Sequence, residues 1–142
     1  MIISGKKFRE QVTAFVDDQL EPEELTRVIV PWAQTGPVWL SYVTTSIFQR
    51  YSLWPLLFRV RYYSLALTDR RVLLVRRRRR DAQPVEVEWS LAPQFVTVPE
   101  YWRTRRSRVI VLAASGVDLR LAVRPLFFDD ADHFVNALTP AR

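Results

Sequence analysis

The sequence predicts an α+β fold: a strongly curved antiparallel sheet of about seven strands, closed by a C-terminal helix. Three observations predict it. Between residues 61 and 124, short β-prone segments with alternating or continuous apolar character are separated by turn residues. Their connections are too short for parallel crossovers, so neighbouring strands run antiparallel. One amphipathic stretch, 128–138, follows the last strand and needs an apolar partner, which the open end or face of a bent sheet supplies.

The elements follow in chain order. SGKKFREQVTAFVDDQ (4–19) reads as a helix, with Ser4 as a possible N-cap. Its Phe8, Val12, Phe15 and Val16 form one apolar stripe, and Leu20–Glu21–Pro22 ends it. TRVIVPWAQT (26–35) is β-branched and apolar and reads as a first strand. Pro31 removes one ladder donor, which predicts an edge strand or a bulge. Gly36–Pro37 then breaks the chain direction.

Residues 38–58, VWLSYVTTSIFQRYSLWPLLF, read as a helical, aromatic-rich insertion between the first two strands. Trp39, Tyr42, Val43, Ser46, Arg50, Tyr51 and Trp54 recur at helical spacing, and Leu40, Ile47, Phe48 and Leu53 spread apolar character over the other faces. Gln49–Arg50 and the Ser/Thr cluster interrupt the run, so it does not read as a membrane span, which needs about 20 apolar residues. A buried helix, an oligomer contact and an interfacial segment remain open.

RYYSLALT (61–68), the Asp69–Arg70 turn and RVLLVRRR (71–78) predict a hairpin. PVEVEWSL (84–91) alternates Val85, Val87 and Trp89 against Glu86, Glu88 and Ser90, as a half-buried strand does. QFVTVPE (94–100) predicts a shorter strand. SRVIVLAAS (107–115) and VDLRLAVR (117–124) flank Gly116 as another hairpin. In FDDADHFVNAL (128–138), Asp129 is the expected N-cap, and Asp130 and Asp132 lie in the first turn, where the helix dipole favours anions.

Length and composition bound the rest. At 142 residues the chain fits one domain, 1–142, with a real core. Hydrophobic residues at 49% and charged residues at 25% exclude extensive disorder. With no cysteine there is no disulfide, thiolate metal site, Fe–S cluster or thiol nucleophile, which fits a reducing cytoplasm. The N-terminus has neither an unbroken apolar core nor a small-residue cleavage site, so it does not read as a signal peptide. The net charge of +6 is unevenly spread. Residues 1–30 carry four basic and six acidic groups, whereas residues 50–108 carry fourteen arginines and five acids. Arginine prefers planar partners such as phosphate and carboxylate.

Within this order of elements, Tyr63-Ser-Leu-Ala-Leu-Thr-Asp-Arg-Arg-Val-Leu-Leu-Val75 resembles the hairpin of bacterial pleckstrin-homology-like domains, in which a strand ends in Thr, Asp and Arg make the turn and an apolar strand follows. The two middle strands, the Gly116 hairpin and the Asp130–Leu138 helix resemble the later elements of that family. The resemblance covers roughly residues 20–138 and implies a β-barrel or sandwich with a capping helix. It also implies that 36–60, Arg76–Arg80 and the Gly116 turn share one end of the barrel, with 103–108 at the other. The helix 4–19 and the long 36–60 segment are additions to that pattern. Only Arg59–Val–Arg61 is similar to the basic motif of lipid-binding members, so phosphoinositide recognition does not carry over.

The candidate contact residues are Trp39, Phe48 and Trp54 in the aromatic segment, Arg59 and Arg61 at its exit, and the run Arg76, Arg77, Arg78, Arg79 and Arg80. Aromatic and basic groups together suit an interfacial contact with anionic membrane. Arg103, Arg105, Arg106 and Arg108, with Tyr101 and Trp102, form a second basic cluster of the kind single-strand nucleic-acid binders use, although no recognised binding motif is present. His133, the lone histidine, has no H-x-x-x-H or H-E-x-x-H context. Glycine-rich nucleotide loops and a G-x-S-x-G nucleophile context are missing too.

The sequence therefore points to a non-enzymatic cytoplasmic binding module, without cofactor, metal or small-molecule substrate. Its expected partner is another protein or a second copy of itself. Peripheral attachment to anionic membrane at the inner face of the plasma membrane is the alternative, and weak nucleic-acid binding is a third reading.

Overall fold

The computed structural model describes residues 5–35, 61–78, 83–103, 108–114 and 117–138. A helix, α1 (Gly5–Gln19), precedes seven strands: β1 (Thr26–Gln34), β2 (Tyr62–Thr68), β3 (Val72–Arg77), β4 (Pro84–Leu91), β5 (Thr97–Arg103), β6 (Arg108–Ala114) and β7 (Val117–Val123). Helix α2 (Phe128–Leu138) closes the order. All pairings are antiparallel, in the order β4-β3-β2-β1-β7-β6-β5. Strand β1 joins the two parts of the sheet, and among the described residues its register with β7 is set by the pair Gln34–Ala122.

The inner face carries the main core. Val30, Leu65, Leu67 and Leu74 meet Ile110, Leu112, Leu121 and Val123, and Phe127, Ala131 and Phe134 pack among them. Phe134 is fully buried, a side-chain burial that contributes about 2–3 kcal/mol. The outer face of β2 and β3 is covered by α1, whose Val12 and Val16 seat on Ala66, Leu73 and Val75. Strand β2 is consequently buried along its whole length, on both faces.

Three local features of the sheet have identifiable physical causes. Pro31 lies in an internal strand and takes the second of the two alternatives that the sequence offered, a bulge, seen as a register shift between Val30 and Ala33. The irregularity frees the Pro31 carbonyl, which accepts the Ser64 hydroxyl (2.6 Å) and Arg77 Nε (3.1 Å). In β4 a second register shift separates the pairs Leu74–Trp89 and Val75–Val87, leaving Glu88 as the extra residue. Val87 thereby joins the cluster under α1 while Trp89 joins the inner core, so the two do not share one face.

The third feature is the strand expected at 94–100. Pro93–Phe95 instead forms a 3-10 turn, helped by the fixed φ of Pro93, and β5 runs on through Tyr101, Trp102 and Arg103. At the C-terminus a 3-10 turn, Pro125–Phe127, leads into α2, so Asp129 lies inside the first turn and is not the cap. Ser4, the 38–58 segment and the Gly116 turn lie outside the described residues.

Candidate functional site

The hairpin motif of residues 63–75 resolves into a polar knot. Thr68 N donates to Arg71 O at 2.9 Å, which closes the Asp69–Arg70 turn. Thr68 Oγ1 accepts from the backbone N–H groups of Arg70 and Arg71 and donates to Glu24 Oε2 at 2.5 Å. Asp69 accepts from Leu25 N (3.1 Å), tying the turn to the start of β1. Glu24 takes a two-pronged contact from Arg71 Nε and Nη2, both at 2.9 Å. The hydrogen bonds from Arg71 hold the Glu24 carboxyl down at a pKa of about 2, against the cost of burial. The same pairing raises the Arg71 guanidinium. Thr68, Asp69 and Arg71 therefore hold the hairpin against the 20–25 connection.

At the opposite end of β1–β4, Trp32 is the centre of a cation–aromatic cluster. Its ring lies 4.9 Å from Phe8 of α1 and 4.7 Å from Tyr62, centroid to centroid. The guanidinium groups of Arg77 and Arg124 lie 5.7 and 4.5 Å from it. Arg77 is only 2% exposed. It donates to Ser64 Oγ (2.7 Å), to Pro31 O and to Phe8 O (3.2 Å), so it fastens α1 to the sheet. Burial brings its pKa down to about 10. Arginine is suited to this place because it is weakly hydrated and stacks on aromatic faces.

That cluster stands beside the stem of the 36–60 segment. Thr35 N donates to Arg61 O at 2.9 Å, and Arg61 N donates to Thr35 Oγ1 at 2.8 Å. The segment thus leaves and re-enters the sheet at one point.

The arginine run does not form one surface. Strand alternation sends Arg76 and Arg77 to opposite faces. Arg76, 43% exposed, pairs with Glu86 at 2.8 Å, and Arg77 lies inside the protein, so it is removed from any exposed basic patch. Arg61 and Arg78 are exposed. Trp39, Phe48, Trp54, Arg59, Arg79 and Arg80 lie outside the described residues.

The second basic cluster is also divided. Arg103 and Arg108 are in paired strands, and both approach Asp132 of α2, at 3.5 and 3.4 Å. Tyr101 donates its hydroxyl to the same carboxylate. Burial, then that bond, raise the Tyr101 pKa above the ordinary phenol value. Asp130 accepts both Nη atoms of Arg9, at 3.1 and 2.7 Å. The two aspartates expected to serve the helix dipole therefore anchor α2 to α1 and β5–β6. Trp102 points the other way, 44% exposed, with Arg120 stacked 4.0 Å above its ring. Arg105 and Arg106 lie outside the described residues.

No family model, curated protein or solved structure matches the chain. Among the described residues, no group of three or more His, Cys, Asp or Glu could hold a metal ion, and His133 is exposed on α2. None of the described helices is long and apolar enough to cross a membrane.

Trp32 and Arg124 were not singled out by the sequence. Trp32 reads there as one more apolar strand residue, and Arg124 as the end of an alternating strand. Only the meeting of β1, β7 and α1 makes them a pair.

Proposed function

We propose that the chain is a non-enzymatic, pleckstrin-homology-like binding module acting in protein–protein interaction or assembly, in the cytoplasm, with residues 36–60 as its contact segment. The strand order, with a terminal helix packed on the inner core, supports the pleckstrin-homology-like reading. The observation that carries the function is the closed stem at Thr35 and Arg61. A hairpin held shut there needs only a two-residue turn. It carries instead a long segment rich in Trp, Tyr and Leu, and long connections in compact domains are commonly functional. The buried or half-buried charges support a scaffold role for the sheet: Glu24, Arg71, Arg77, Asp130, Asp132 and Arg108 all join one element to another.

The test is replacement of residues 36–60 by Asn-Gly between Thr35 and Arg61. The reading expects this variant to unfold as cooperatively as the parent, and to form smaller species in sedimentation velocity at equal concentration. Equal sizes at every concentration would refute a self-contact role for the segment. Flotation with neutral and anionic vesicles at two salt concentrations decides the membrane alternative. Salt-sensitive binding by the parent to anionic vesicles alone, lost in the variant, would replace the assembly reading.

A further inference from the structure

We propose that α1 is exchanged between two copies of this chain, with the Glu21–Glu24 turn opening as the hinge, so that each copy's helix seats on the other's β2–β3 face. The inference goes beyond the role given to residues 36–60 and needs no part of that segment.

The hinge is a strained turn. Glu24 N donates to Glu21 O at 3.0 Å and Glu21 N donates to Glu24 Oε1 at 2.9 Å, with Pro22 and Glu23 between them. Among the described residues, Glu23 is the one non-glycine residue with a positive φ, 67°. That region brings Cβ too close to the following carbonyl oxygen, and a turn with proline second and a positive φ third calls for glycine there. Glu21, Pro22 and Glu23 are exposed, so their side chains leave no core when the turn extends. Short connections under strain invite exchange, because the extended hinge releases the strain of the closed turn.

The helix can leave and re-seat as one piece, since it joins the sheet through this single connection. Val12 and Val16 belong to a small cluster with Ala66, Leu73 and Val75 that is separate from the main core, and Phe8 reaches the Trp32 ring. Polar contacts hold both ends of α1. Arg77 Nη2 donates to Phe8 O at 3.2 Å, and Arg71 Nη2 donates to Gln19 O at 2.6 Å. Arg9 donates through both Nη atoms to the two carboxylate oxygens of Asp130. All these partners of α1 lie beyond the hinge in the chain, so a helix from a second copy meets the same groups in the same geometry. Glu24 stays with the sheet, held by Thr68 and Arg71. The exchanged pair therefore keeps these contacts and gives up the strained turn, and its stability does not depend on finding a new face.

A short closed connection holds α1 at an effective concentration on the order of mM. Two strained turns are released per dimer, which lowers the concentration needed by about tenfold, to on the order of 100 μM. Exchange requires α1 to come off the sheet, a local opening that mild denaturant speeds.

The experiment uses the full chain, equilibrated in mild urea, returned to buffer and followed by sedimentation equilibrium, with circular dichroism melts to confirm folding. The parent should form a dimer in this range. Glu23→Gly relaxes the closed turn and should weaken the dimer by about tenfold. Arg9→Glu and Asp130→Arg each set like charges together, in the closed monomer and in any exchanged dimer of their own kind. Mixed in equal amounts, the two variants form an exchanged dimer in which one helix brings the new carboxylate to the new guanidinium and the other restores the native pair. Native mass spectrometry should show this mixed dimer above the share expected from random pairing. The Asn-Gly replacement of 36–60 should leave the exchange intact, so failure of the segment reading and failure of this one are told apart. A parent chain monomeric throughout overturns the proposal, as does a Glu23→Gly dimer as tight as the parent's or a mixed dimer no more abundant than random pairing gives.

Discussion

Glu24→Gln removes one charge and keeps the shape of the side chain, so it isolates the ion pair inside the hairpin knot. The folded carboxyl titrates at about 2, against an ordinary 4.5. At about 1.4 kcal/mol per pKa unit, that depression corresponds to about 3 kcal/mol. Arg71 keeps 21% of its side chain exposed, so solvent screens part of the interaction. About 2 kcal/mol is therefore the expected loss near neutral pH. The sign follows from the direction of the shift. A carboxyl whose folded pKa is depressed contributes fully above its unfolded pKa, and loses that contribution as pH falls through the folded value. The gap between parent and Glu24→Gln should thus be constant above about pH 5, shrink from about pH 4.5 downward, and vanish near pH 2. Urea unfolding at about pH 7 and about pH 3 measures it, and close to half the gap should remain at the lower pH. An unchanged gap at both would mean that Gln costs stability through packing alone, and the ion-pair account of the motif would be wrong.

Other outcomes follow from the same contacts. Arg77→Met should destabilise by about 2–4 kcal/mol, because it leaves the Phe8 carbonyl without this donor, and hydrogen exchange should rise first in α1. Glu23 has φ 67° between Pro22 and Glu24, where a turn of this kind favours glycine; Glu23→Gly should raise the urea midpoint by the equivalent of about 0.5–1 kcal/mol. Phe134→Ala should cost about 3–5 kcal/mol in the same assay, since the ring is fully buried between the sheet and α2.

The fold was legible to a large extent because its strands obey simple periodicities. The boundaries of β4 (84–91) and α2 (128–138) agree with the sequence reading to the residue. What failed was phase. Alternation assigned Val87 and Trp89 to one face, and a single extra residue, Glu88, reversed it. Nothing local marks that residue, since a glutamate fits a bulge and an exposed strand position equally well. The strand at 94–100 was misplaced because β5 carries Pro99 and ends in Tyr101–Trp102–Arg103. A proline and a following basic cluster read as the end of a strand, although on an edge strand the missing donor is tolerated. The candidate contact residues were legible only in type. That Arg76 and Arg77 part company follows from the pleat of β3, but which of them goes inward depends on where α1 lies.

Arginine is the residue whose meaning the fold changes most. Read along the chain, the central excess of arginine falls into two clusters, Arg76–Arg80 and Arg103–Arg108, that offer basic groups to phosphate or carboxylate. Within the described residues much of it is already buried or paired within the chain. Arg71 pairs with Glu24, Arg76 with Glu86, Arg108 with Asp132, and Arg77 caps the Trp32 cluster. These contacts use the planar fork and the aromatic stacking that lysine lacks, so the preference for arginine has a folding reason before any ligand is invoked. Arg120 stacks on Trp102 with its charge at the surface. Its guanidinium reaches over β6 to lie flat on an aromatic ring of β5, the same use of arginine that Arg77 and Arg124 make of Trp32 at the other junction of the sheet.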